Sequence, residues 1–128
     1  MYGSAGNNTL VGNNGNDWLQ GGAGADTLTG GNGTDRFVLD NVSSVDTITD
    51  YRTTQFDILD ISNILAGFTP GVDDIDNFVS FSVLGGNTTV RIDADGLTGG
   101  TSWTNVATLS AVTGLNVQTL YDNGLIVA

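Results

Sequence analysis

Asn8, Asp17, Asp26 and Asp35 recur at a spacing of nine residues, and each stands sixth in a segment that opens on glycine. Cut at that spacing, residues 3–38 read GSAGNNTLV, GNNGNDWLQ, GGAGADTLT and GGNGTDRFV. Gly3, Gly12, Gly21 and Gly30 hold the first position, Gly6, Gly15, Gly24 and Gly33 the fourth, and Leu10, Leu19, Leu28 and Phe37 the eighth. A side-chain oxygen repeated at a fixed interval is chemistry for a hard cation. The chain has no Cys and no His, so the sulfur and nitrogen ligands that zinc prefers are missing. Carboxylate and carbonyl oxygens suit Ca²⁺.

Short strands and tight loops must position these oxygens. Residues seven to nine of each segment (9–11, 18–20, 27–29 and 36–38) are predicted strands whose middle side chain points inward. Positions one to six reverse the chain, where glycine supplies the positive φ of a tight loop. Two segments make one coil, and coils stack at about 4.8 Å. Repeat one then lies under repeat three and repeat two under repeat four, which sets Asp17 under Asp35 and Asn8 under Asp26. Carboxylates about 5 Å apart repel unless a cation lies between them. Loop carbonyls of Gly6, Gly12, Asn13, Asn14, Gly15, Gly21, Gly22, Ala23, Gly24, Gly30, Gly31, Asn32 and Gly33 complete the expected ligand set. The Asn8–Asp26 site, with one charge fewer, is expected to be the weaker. A Gly/Asn linker would not keep an apolar eighth residue, and a metal-free solenoid would not need Asp at the sixth.

This nonapeptide resembles the Ca²⁺-binding repeat of parallel β-helices, and the segment resembles the RTX (repeat-in-toxin) repeats of proteins exported by bacterial type I secretion. After a break at Leu39–Ser44, the run Asp46-Thr47-Ile48-Thr49-Asp50-Tyr51, followed by Phe56-Asp57-Ile58-Leu59-Asp60-Ile61-Ser62, resembles the segment that closes RTX β-rolls. The resemblance implies that Asp46, with Asp50 and Asp57, fills ligand places above Asp26 and Asp35; the alternative is that these are solvated strand-edge residues. The tail from Val106 to Ala128 is similar to the C-terminal target domain of large RTX adhesins. The resemblance implies an uncleaved export signal there, with Leu120, Leu125, Ile126, Val127 and Ala128 as its residues, read by a type I ABC transporter. An ordinary edge strand completing a sheet is compatible with the same residues.

The rest of the chain reads as strands and turns. Strands are expected at 45–51 and 56–61, with a turn at Arg52–Gln55 and Ser62 capping a helical turn through Leu65. A hairpin is expected from 78–83 and 88–93 around Leu84–Asn87. Asp73, Asp74 and Asp76 crowd one loop, where Asp76 reads as a cap, and Asp93-Ala94-Asp95-Gly96 reads as a turn rather than an EF-hand start. A strand at 102–109, a short helix at Val117–Asp122 ended by Asn123-Gly124, and an apolar strand Leu125–Ala128 follow.

The expected fold class is all-β: a short Ca²⁺-binding parallel β-roll over 1–44, capped by a C-terminal β-rich region with one or two short helices over 45–128, which carries the secretion signal. Every one of the 14 acids is Asp, there is no Lys, and the net charge is −11. That balance argues against nucleic acid and anionic membrane and for cations. No apolar run reaches membrane-spanning length, so no stable membrane insertion is expected. With no His, Cys, Glu or Lys, a Ser–His–Asp triad, an HExxH zinc site and a paired Glu site are all impossible within these residues. The chain itself is therefore read as not an enzyme. The expected role is a calcium-binding secretion and folding module of a large extracellular RTX protein, a surface adhesin, present as a monomeric fragment of a longer chain, secreted and at the bacterial cell surface. The alternatives are the β-roll of a secreted protease or lipase and, behind it, a sugar- or ice-binding module.

Overall fold

The computed structural model describes residues 1–65, 67–93 and 103–128. The chain winds through β1 (Thr9–Asn14), β2 (Trp18–Gln20), β3 (Thr27–Asn32), β4 (Arg36–Val38), β5 (Asp46–Ile48) and β6 (Ile58–Asp60). It then forms β7 (Val79–Leu84), β8 (Asn87–Ile92), β9 (Thr104–Leu109), the helix α1 (Val117–Asp122) and β10 (Ile126–Val127). One sheet has the order β1-β3-β5-β9-β8-β7 and the other β10-β6-β4-β2. The stacking follows the repeat: Leu10 pairs with Leu28 and Leu19 with Phe37, eighteen residues apart in parallel register. Leu19, Leu28 and Phe37 are fully buried, and Leu10 nearly so, as the eighth-position pattern requires.

The roll does not stop where the nine-residue period does. Residues 39–57 form a third, closing coil. β5 pairs with β3 through Thr27–Thr47, and β6 pairs with β4 through Arg36–Ile58, so the spacing grows to twenty and then twenty-two residues. Ile48 and Leu59 continue the two interior rows. Beyond the coil, β9 lies parallel to β5, and the hairpin β7–β8 extends the sheet antiparallel. Gly85 and Gly86 both take positive φ in the hairpin turn, as a two-residue loop with the right twist needs. On the outward face Thr9, Thr27, Thr47, Thr108, Thr89 and Ser82 line up strand to strand.

β10 pairs with β6, with Leu59 and Ile61 donating to the Leu125 and Val127 carbonyls. The apolar C-terminal residues thus complete the β2-β4-β6 sheet, while Leu120 of α1 is buried behind it. Asn116 caps α1 by accepting from the Thr119 N–H, and the helix ends at Asn123 with Gly124 at positive φ.

Several local readings need correction. β1 and β3 run six residues rather than three, because pairing continues into the loop through Asn13–Gly31 and Asn14–Asn32. Asp60, not Ser62, organises the turn after β6: its Oδ1 accepts from both the N–H and the hydroxyl of Ser62. Asp74, not Asp76, caps the 3-10 turn Ile75–Asn77. The strand expected at 102–109 begins at Thr104 among the described residues, and Ala94-Asp95-Gly96 lies outside them.

Candidate metal centre

Two columns of loops flank the roll. One holds residues 3–8, 21–26 and 39–46, the other 12–17, 30–35 and 49–57. In both, the sixth-position carboxylate performs a task the repeat pattern does not announce. Asp26 Oδ1 accepts the backbone N–H of Asn8 at 2.7 Å, and Asp35 Oδ1 that of Asp17 at 2.9 Å. The closing coil repeats the arrangement: Asp46 Oδ1 takes the Asp26 N–H at 2.9 Å, and Asp57 Oδ1 the Asp35 N–H at 3.0 Å. Each carboxylate therefore staples its loop to the loop below. This places Asp46 over Asp26 and Asp57 over Asp35, although no nonapeptide repeat exists there.

The second oxygens make the case for a cation. Asp17 Oδ2, Asp26 Oδ2 and Asp35 Oδ2 are all buried without a hydrogen-bond partner. A buried charged oxygen with no partner costs several kcal/mol unless something compensates it, on the order of the penalty for an unpaired buried ion. These oxygens lie over the first glycine of their own repeat. A Cβ on Gly12 would stand 2.5 Å from Asp17 Oδ2 and equally close to the Gly30 carbonyl oxygen, so one carboxylate and one carbonyl from successive coils converge there. At Gly3 the Asn8 Oδ1 and the Gly21 carbonyl crowd the same place. Glycine is thus required at the first position because oxygens occupy the side-chain space.

Among the described residues no three acidic side chains gather at one point. The donor set is instead a carboxylate or two with carbonyls, all oxygen. Such a set fits Ca²⁺, which takes six to eight oxygens with loose geometry.

The expected ligands divide into two groups. Asn8, Asp17, Asp26 and Asp35 lie in the repeat loops, although Asn8 Oδ1 also accepts the Ser4 N–H at 2.6 Å, and buried Asp46 stands with them, its Oδ1 on the Asp26 amide. Asp50 and Asp57 are fully engaged by the protein. Asp50 accepts from the Gly30 and Gly31 amides, and Asp57 Oδ2 accepts from the Arg52 amide at 2.7 Å. Of the expected carbonyls, Gly22 O accepts from Asn41 Nδ2, Gly24 O from the Ser44 hydroxyl, Gly31 O from Arg52 Nη1, and Asn32 O from the Gly15 amide. Position in the repeat could not show the first three contacts, because Asn41, Ser44 and Arg52 lie in the non-repeating coil.

Burial pushes the Asp35 carboxyl up; the Asp17 amide opposes this, while the Asp17 and Asp50 charges add to it and Arg52 opposes it. Burial likewise raises Asp57, against the Asp35 and Arg52 amides and with the Asp35 and Asp50 charges. Asp46 is pushed up to about 6 by burial, held back by the Asp26 amide and helped by the Asp26 and Asp40 charges. Asp60 goes the other way. Burial would raise it, but hydrogen bonds from Ser62 and Arg36, the latter at 2.7 Å, outweigh burial and lower it.

A pH dependence follows for the calcium-free protein. A carboxyl whose folded pKa is raised binds more protons folded than unfolded, so its contribution is fully present below the unfolded value, 3.8, and is lost as pH rises through the folded one. For Asp46 that window runs from 3.8 to about 6. In calcium-stripped buffer, circular dichroism should show more β structure at a pH of about 4.5 than at about 7.5. With calcium present the order should reverse, because protons displace the ion. Equal β signal at both pH values in stripped buffer would contradict the assignment.

Glycine-cradled, all-oxygen gaps stacked along a parallel roll define a calcium-binding β-roll. Residues 2–37 match the family described as the RTX calcium-binding nonapeptide repeat, in four copies. That stretch is an RTX repeat array; the repeat family binds Ca²⁺ and points to a secreted protein. Among solved structures, the solution structure of the AlgE6R3 subunit from the Azotobacter vinelandii mannuronan C5-epimerase is similar at 24% identity and a TM-score of 0.30. The alignment covers 84% of this chain and 72% of that one. A comparison with curated proteins finds no match. No helix among the described residues is long and apolar enough to cross a membrane.

Proposed function

We propose that this chain is the calcium-folded secretion module of a larger extracellular RTX protein, a surface adhesin, with the repeats over 1–44 and a capping and export region over 45–128. The observation that carries the calcium role is the set of buried, partnerless Oδ2 atoms of Asp17, Asp26 and Asp35. Where Ca²⁺ is scarce, those charges oppose folding, and a chain that stays unfolded can be threaded through a type I ABC transporter. Where Ca²⁺ is millimolar, sites of the 10⁻⁴–10⁻³ M class typical of extracellular modules fill. Binding free energy then becomes folding free energy. The module itself is non-catalytic, since it lacks His, Cys, Glu and Lys.

The export address is assigned to Leu120 and Leu125–Ala128. Leu120, Leu125 and Ile126 are buried once the chain folds, so a recogniser would read them only in the unfolded chain. This agrees with reading before calcium is met. In a matched type I system, deleting 119–128 should abolish export of a passenger. Replacing Asp17, Asp26 and Asp35 together by Ala should leave recognition intact and impair folding outside. Export of the deletion at the parental rate would overturn the assignment.

A further inference from the structure

We propose that the cleft between the closing coil and the capping helix binds an uncharged sugar, with the ring of Phe56 as its stacking face and Asn116, Thr119 and Asn123 as its hydrogen-bonding rim. This site does not rest on the calcium reading and adds a ligand to the capping region.

Phe56 is poorly placed for folding alone. It follows the turn Thr53–Gln55 with φ 62° and ψ 36°, in the left-handed region, an outlier for a bulky side chain. Its ring is 65% exposed, so it adds little to the core. The chain meets the same backbone demand with glycine at eleven described positions, and only Asn13, Phe56 and Ala111 among the described residues meet it with a side chain. Glycine at this place would relieve the strain and remove almost nothing from the interior. A strained backbone kept under an exposed ring serves a contact outside the fold.

The ring forms one wall of a cleft of about 680 Å³, within the size range of small-molecule sites. The facing wall is α1 with its two flanks, where Asn116, Thr119 and Asn123 stand exposed beside buried Leu120 and Leu125. Both walls are set in advance. The Phe56 N–H donates to the Thr53 carbonyl at 3.1 Å, the Asp57 N–H to the Arg52 carbonyl at 3.1 Å, and Asp57 Oδ2 accepts the Arg52 N–H. Asn116 Oδ1 accepts the Thr119 N–H at 2.9 Å, and the Asn123 N–H donates to the Thr119 carbonyl at 3.1 Å, so the helix is held at both ends. A preformed cleft keeps the entropy cost of binding low. Among the described residues no hydrogen bond within the protein takes Asn116 Nδ2, the Thr119 hydroxyl or the Asn123 side chain.

The lining selects the class of ligand. Among the described residues none that lines the cleft is charged, in a chain of net charge −11. A cation would find no carboxylate there, and the field of the chain repels an anion. A lipid tail would strand the amide and hydroxyl groups without partners. A sugar satisfies both halves of the lining. Its C–H face packs on the Phe56 ring and the leucines, and its hydroxyls pair with side chains that both donate and accept.

The test is a titration of the calcium-saturated full chain with neutral di- and trisaccharides of glucose, galactose, mannose and N-acetylglucosamine, followed by amide chemical shifts and calorimetry. Trigalacturonate is the charged control. At least one neutral sugar should shift the Phe56, Asn116, Thr119 and Asn123 resonances together, and trigalacturonate should not. Phe56→Gly should fold at the same calcium concentration and melt no lower, yet bind about tenfold more weakly. Asn116→Asp keeps the helix cap while exchanging the Nδ2 donor for a carboxylate, and it should weaken binding as well. Unchanged sugar binding in both variants overturns the inference, as do shifts at these residues with trigalacturonate alone or with no sugar of the set. A Phe56→Gly chain that melts well below the parent would make the ring a packing residue and overturn it too.

Discussion

Asp35→Ala should lower stability in calcium by about 3 kcal/mol or more, the largest loss expected for any acidic residue in the chain. Asp35 is fully buried and serves twice. Its Oδ1 staples the Asp17 amide at 2.9 Å, a charge-assisted bond of about 1.5–3 kcal/mol whose loss also strands that amide. Its Oδ2 is one of the partnerless oxygens assigned to the ion. Losing an ion held at ten times its Kd removes about a further 1.4 kcal/mol by mass action. Asp76→Ala is the control: Asp76 is exposed and outside the roll, and the change should stay within about 0.5 kcal/mol. Denaturant unfolding at two calcium concentrations above the folding midpoint separates the two contributions, because only the ion's share changes with calcium. Equal losses for the two variants in calcium would remove Asp35 from the site.

The second large effect concerns glycine. Gly31 and Gly15 both have φ near +100°, so alanine at either costs about 1–2 kcal/mol in backbone strain. They differ in what a side chain would meet. A Cβ on Gly15 meets nothing within 4 Å, whereas on Gly31 it would strike the Asn13 carbonyl, a backbone group that cannot swing aside. Overpacking against the coil below adds about 1–3 kcal/mol there. Gly31→Ala should therefore uncouple repeat four from repeat two and sharply raise the calcium needed for folding, while Gly15→Ala should fold with a modest loss. Matching calcium midpoints for the two variants would mean that the coils do not approach as closely as described.

Much of this was legible in the chain. The nine-residue period placed the coils, because a residue that must be glycine and a residue that must be buried recur together. The same period put Leu19 under Phe37 and Asp17 under Asp35. The closing coil was harder. Its spacings of twenty and twenty-two follow no repeat, and Asp46 and Asp57 were placed through resemblance rather than arithmetic. The double use of each carboxylate was missed, since an Asp that bonds an amide below and an Asp that faces an ion look identical in sequence. The parallel pairing of β5 with β9 was also invisible. Asp46 and Ala107 are sixty-one residues apart, and nothing in either local pattern marks the other as its neighbour. Asn41 and Ser44 read as a break in the period, and their donors became meaningful only once Gly22 and Gly24 lay beneath them.

The most direct test is a calcium titration of the whole chain followed by far-ultraviolet circular dichroism, with Mg²⁺ at equal concentration as control. A cooperative rise of β signal with calcium, absent with magnesium and reversed by chelator, is the predicted result. A β spectrum and melting temperature that ignore both calcium and chelator would contradict the account, because the buried oxygens of Asp17, Asp26 and Asp35 would then be tolerated without an ion.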